Sequence, residues 1–314
     1  MKKFAMVAAA LALFCATAQA QKSAPPDNTG HKVQFVSVDK NVRLEVLDWG
    51  GDGPPLVLLA GFGNTAHAFD EFAWRFTAKH HVYGVTRRGF GNSGKPQPTP
   101  ENYDPDRLGD DVLAIIDTLR LHKPILAGHS IAGEELSSIG SRHADKVAGL
   151  IYLDAADYYA FFNPRSDILA PYAATILRDL AQLPAVNPTQ ARKLVVEMQE
   201  NISGLQRGLR WYQQALVDQP DLPPQQLTEP QRLVQNAVVS TVRQYGRINA
   251  PPLTFFAIPK ECKPNCAAMA QADFVAASNP GARIVRLPGA SHFIYQSNEA
   301  EVVREMDAFM DSLR

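Results

Sequence analysis

Two residues stand out for the chemistry their surroundings allow. Ser130 lies in Gly128-His129-Ser130-Ile131-Ala132-Gly133, directly after the apolar run Ile125-Leu126-Ala127 and before a helical pattern. His292 lies in Pro288-Gly289-Ala290-Ser291-His292-Phe293, after another short apolar run. A serine hydroxyl is a weak nucleophile until a base takes its proton, and histidine is the usual base. A serine on a sharp strand-to-helix turn is held clear of its neighbours, and such a turn demands small flanking residues. Gly128 and Ala132 meet that demand, although Ala132 departs from the strict Gly-x-Ser-x-Gly pattern and Gly133 follows one place later. Ser130 alone could serve only as a helix cap; a base and anion-binding backbone elsewhere in the chain make the catalytic reading stronger.

Attack on a carbonyl also needs donors for the oxyanion. Leu58-Leu59-Ala60-Gly61-Phe62-Gly63-Asn64 is a Gly-rich turn after a strand, and it would direct a backbone N–H, that of Phe62, at the serine. The Ile131 N–H, at the start of the next helix, would be the second donor.

These segments need a scaffold of alternating strands and helices. Strands are expected at 33–38, 43–49, 56–60, 81–85, 124–127, 147–153, 253–258 and 282–287. Helices are expected at 66–78, 105–121, 131–143, 267–278 and 299–313. Such alternation means an α/β fold, a mostly parallel sheet covered on both faces. Residues 160–248 break the rhythm, reading as three or four helices with Pro-rich turns and no strand. They form an insertion, a lid or cap, between a core of 33–159 and 249–314.

At this point the chain resembles the α/β-hydrolase superfamily over about 33–314, through the Gly-His-Ser elbow and Arg88-Gly89-Phe90-Gly91-Asn92-Ser93. Many relatives carry an acidic residue where Thr86 stands. The resemblance implies an eight-stranded sheet with the lid after strand 6, and a triad in the order Ser, acid, His. It leaves the acid open. The usual place, the loop after strand 7, offers Glu261. The end of strand 6 offers Asp154, a place some haloalkane dehalogenases of this fold use. Asp157 and Asp273 remain as further candidates. Epoxide hydrolases and haloalkane dehalogenases of this fold use aspartate as nucleophile, so Ser130 favours acyl chemistry. The expected enzyme is a serine esterase of a small molecule, working through an acyl-enzyme without cofactor or metal. A non-catalytic binder or sensor and a cofactor-free perhydrolase or haloperoxidase are the alternatives on the same scaffold.

The remaining features bound the setting. With 31 Lys+Arg against 32 Asp+Glu, the chain lacks the basic excess that nucleic acid would require. Lys2 and Lys3, the apolar stretch 4–17 and Ala18-Gln19-Ala20 read as a secretory signal cut after Ala20, with a flexible lead-in at 21–32. The mature chain is then expected in the periplasm or medium, without a membrane anchor. Cys15 leaves with the signal, and Cys262 and Cys266 remain as a candidate disulfide. His67, His80, His81, His129 and His143 show no ligand spacing and read as structural or surface residues. Glu134-Glu135 reads as a solvated or lid-facing pair.

Overall fold

The computed structural model describes residues 30–313, apart from 158, 162, 164–168, 217–232, 235–236, 238–244, 246, 261 and 263–265. The expectations for the signal, for most of the lead-in and for Glu261 lie outside the described residues. Eight strands form one sheet: β1 Lys32–Asp39, β2 Val42–Gly50, β3 Pro55–Leu59, β4 His81–Val85, β5 Ile125–His129, β6 Gly149–Leu153, β7 Pro252–Ile258 and β8 Arg283–Pro288. Their order is β1-β2-β4-β3-β5-β6-β7-β8. β2 pairs antiparallel with β1 and β4, and every pairing from β4 onward to β8 is parallel.

The short central strands are apolar at almost every position because both sheet faces are covered. Successive side chains alternate between two cores. Val57, Leu59, Leu126 and Tyr152 pack on one face, and Leu56, Leu58, Ile125, Ile151 and Leu153 on the other. The first face is covered by helices α1 (Pro105–Thr118) and α2 (Gly133–Arg142), through Val112, Ile115, Leu136 and Ile139. Two further helices, α3 (Leu169–Gln182) and α4 (Pro188–Leu216), lie in sequence between β6 and β7. They approach closely enough that a Cβ on Gly204 would sit 2.2 Å from the Tyr172 ring. After β7 comes α5 (Ala267–Ser278), and after β8 comes α6 (Glu299–Asp311), whose Val302, Met306 and Phe309 cover the second face.

The helix expected over 66–78 is a correction. A 3₁₀ turn, Ala66–Phe69, runs into the four-residue helix Asp70–Ala73, and turns follow. The bonds Arg75 N–H to Phe72 O and Phe76 N–H to Ala73 O are i to i−3, tighter than an α-helix. The segment must also skirt the turn at 51–53, where a Cβ on Gly51 would lie 1.9 Å from the His80 carbonyl.

Candidate active site

The strand register brings the expected residues together. In the parallel pair β5–β6, His129 is level with Leu153, so Ser130 and Asp154 leave adjacent strand ends side by side. Both hold a left-handed backbone, Ser130 at φ 55° and Asp154 at φ 49°. That conformation is strained for residues with a Cβ and recurs at functional sites. β3 is also in step, with Leu59 level with Gly128, so the turn after β3 meets the elbow. A Cβ on Gly61 would come within 2.7 Å of His129 Nδ1 and 3.2 Å of Ser130 Cβ. Only a glycine lets the Phe62 backbone approach this closely. The Asn64 N–H closes the turn on the Gly61 carbonyl at 3.2 Å, and the Phe62 ring rests edge-on against Phe90 at 5.2 Å. Ile131, buried, is the middle residue of the 3₁₀ turn Ser130–Ala132 that leads into α2.

The displaced glycine of the elbow has a steric cause. A Cβ on Gly133 would fall 1.9 Å from the Ala155 carbonyl, so this position must be glycine. A Cβ on Gly128 would lie 3.0 Å from the Ala132 methyl, so glycine at 128 is what makes room for alanine at 132.

His292 Nδ1 donates to Asp154 Oδ2 at 2.7 Å. Asp154 Oδ1 in turn accepts the Ala257 N–H at 2.8 Å, which fixes the carboxylate from β7. The pairing holds the His292 ring with Nε2 as its proton-accepting nitrogen. Among the other acid candidates, Asp273 pairs with Arg286 at 2.5 Å, and Asp157 is exposed, with its backbone carbonyl taking the Ala160 N–H. Cys262 and Cys266 stand with their Cα atoms 5.6 Å apart, a separation a disulfide spans.

Several supporting residues take roles that the sequence did not specify, His129 in the structural place expected for it among them. His129 is buried, and its Nε2–H donates to the His292 carbonyl at 3.0 Å. Burial, reinforced by nearby His292, pushes the His129 pKa down to about 3, so the ring is neutral. Glu45 on β2 accepts from Thr86 Oγ1 at 2.7 Å and Asn92 Nδ2 at 2.6 Å, which puts a buried carboxylate beside Thr86. Arg88 is fully buried and grips Asp111 of α1 through two bonds of 2.6 and 2.5 Å.

The solvated reading of Glu134-Glu135 is wrong: the two are 0% and 3% exposed. The first turn of α2 is covered by the Ala155 backbone and the Ala160 side chain, both packed on Gly133, and by Arg87 from the loop after β4. Arg87 donates to Glu135 at 2.5 Å, and beside the pair runs a small cleft that Leu59 and Ala60 also line. Glu134 accepts no hydrogen bond among the described residues. Burial first, then the Glu135 charge, pushes its carboxyl well above the ordinary range, which keeps it neutral. The histidines are not all isolated either, since His31 and His67 converge on Asp70. Among the described residues, no helix is long and apolar enough to cross a membrane.

Comparison with known proteins gives a consistent picture. The model of the alpha/beta hydrolase family matches residues 56–305. Epoxide hydrolase A of Mycobacterium tuberculosis is 34% identical over 125 residues, which are 37% of this chain and 37% of that protein. The chain therefore matches well under half the length of this curated relative. Among solved structures, the enol-lactonase of Burkholderia xenovorans LB400 superposes with a TM-score of 0.58 at 19% identity, covering 88% of this chain and 100% of that one. A thermophilic esterase of Thermogutta terrifontis gives 0.58 at 17% identity, covering 90% and 99%. At such identities the structural likeness speaks for the fold. With the family model spanning most of the chain and the same eight-stranded sheet beneath it, this protein belongs to the alpha/beta hydrolase family.

Proposed function

We propose that this protein is an exported serine hydrolase that cleaves an ester or related acyl bond of a small molecule. The observation that carries the reading is the set of Ser130 on its strained turn, Asp154 on the neighbouring strand end, and His292 hydrogen-bonded to Asp154 at 2.7 Å. Ser130 Oγ attacks the carbonyl carbon while His292 Nε2 takes its proton. The backbone N–H groups of Phe62 and Ile131 bind the oxyanion. Asp154 holds the ring in one tautomer and stabilises the imidazolium. His292 then returns the proton to the leaving alcohol, and water, activated by the same ring, releases the acid from Ser130.

Serine favours acyl chemistry over epoxide opening or dehalogenation, for which members of this fold place aspartate at the elbow. Helices α3 and α4, which lie in sequence between β6 and β7, are read as the lid of the pocket. Export would put Cys262 and Cys266 in an oxidising compartment and join them.

A fluorophosphonate probe tests the assignment. The protein is expected to be labelled, and Ser130→Ala is expected to lose labelling and p-nitrophenyl ester turnover while keeping its circular dichroism spectrum. Undiminished labelling of Ser130→Ala would refute it. An unlabelled wild-type protein that still binds small esters would point to a binder instead.

A further inference from the structure

We propose that His31, His67 and Asp70 form a binding site for one divalent transition-metal cation of the zinc class. The site is independent of the serine hydrolase reading. His67 and Asp70 lie three residues apart in the turn that follows the Gly61–Asn64 segment, and His31 arrives from the chain entering β1. His67 Nδ1 is 3.0 Å from Asp70 Oδ2, and His31 Nδ1 is 3.2 Å from Asp70 Oδ1. One ligand atom from each residue can be chosen so that all three lie within 4.8 Å of one another. Tetrahedral zinc, with bonds of about 2.0–2.1 Å to nitrogen and oxygen, separates its ligand atoms by about 3.4 Å. Small side-chain adjustments reach that spacing.

A second observation points to a ligand. Asp70 Oδ1 is shut away from solvent and accepts no hydrogen bond, although His31 Nδ1 is 3.2 Å away. The two groups are close, but no hydrogen bond joins them at this oxygen. A buried carboxylate oxygen without a hydrogen bond is costly, and a shared cation removes that cost. The His31 side chain is 0% exposed, Asp70 is 19% and His67 is 37%. The cluster is thus closed on the His31 side, where the ring packs edge-on against Trp49 at 5.5 Å. It opens at His67, which leaves a route in and a place for water as fourth ligand. Two imidazoles and one carboxylate suit zinc, nickel or copper; magnesium and calcium prefer oxygen throughout. A bound ion would pin the start of β1 to the turn after β3.

The test uses the purified protein without a polyhistidine tag, stripped with EDTA and then titrated with zinc chloride in a calorimeter. The expected result is one zinc per chain at micromolar affinity or tighter, retained through desalting. The Tm is expected to rise by about 4 °C when free zinc is at a hundredfold excess over Kd. Cobalt(II) is expected to give an absorption spectrum of tetrahedral intensity. His67→Ala, at the exposed edge, and Asp70→Asn are each expected to weaken binding at least about tenfold, while the exposed His122→Ala is expected to leave it unchanged. Absence of saturable zinc binding, or equal binding by His67→Ala and Asp70→Asn, would overturn the proposal.

Discussion

Replacing His129 by glutamine is expected to change how stability depends on pH. The ring is buried and held neutral, with its pKa lowered from 6.5 to about 3. The unfolded chain therefore binds a proton in a range where the folded protein does not. Stability from this group is complete above about pH 6.5 and is lost as pH falls towards 3. At 1.36 kcal/mol per pKa unit, the loss between pH 7 and pH 4 is about 3 kcal/mol. Glutamine at 129 keeps an amide donor for the His292 carbonyl but has no proton to gain. Urea unfolding of both proteins at half-unit steps from pH 4 to pH 7 gives the comparison. The wild-type curve is expected to fall more steeply than that of His129→Gln, and the difference between them is expected to close by about 3 kcal/mol. Groups common to both proteins, Glu134 and Asp111 among them, cancel in that difference. Parallel curves would refute the buried neutral ring, as would an NMR signal of His129 titrating near pH 6.

Other perturbations test the remaining parts. Asp154→Asn is expected to lower kcat for ester hydrolysis by about 10⁴-fold with little change in KM, while Asp273→Asn stays near wild type. Gly133→Ala sets a methyl 1.9 Å from the Ala155 carbonyl and is expected to cost about 3 kcal/mol in thermal or chemical unfolding. Arg88→Met leaves the Asp111 carboxyl buried without its partner and is expected to cost about 3–5 kcal/mol. The double variant Arg88→Met/Asp111→Leu is expected to recover much of that loss.

The fold was legible because the strands are short apolar runs between clear turns. β4 and α5 have the very bounds expected, His81–Val85 and Ala267–Ser278, and the other strand limits shift by a residue or two. The segment at 66–78 misled because Phe69, Phe72 and Phe76 recur at helical intervals, yet the chain must clear the carbonyls packed on Gly51 and Gly53. At the site, Ser130 and His292 could be singled out from local context. The partner of His292 could not, since it depends on the register that sets Asp154 beside Ser130 and on the β7 amide that orients it. Adjacent acids usually mean solvent; Glu134 and Glu135 do not, because α2 is roofed by a segment twenty residues further on. The convergence of His31 on Asp70 is likewise invisible in a linear reading.

The placement of Ser130 and Asp154 on neighbouring strands has a bearing on how the protein assembles. Both belong to the single β5–α2–β6 crossover, so their mutual geometry can be settled early, by contacts close in the chain. His292 pairs with Asp154 across 138 residues, and only when β7 and β8 have docked. During refolding, the return of covalent labelling at Ser130 would therefore report closure of the C-terminal strands rather than formation of the elbow. Between those two events lie α3 and α4, a stretch whose length does not enter the β5–β6 pairing that sets Ser130 beside Asp154.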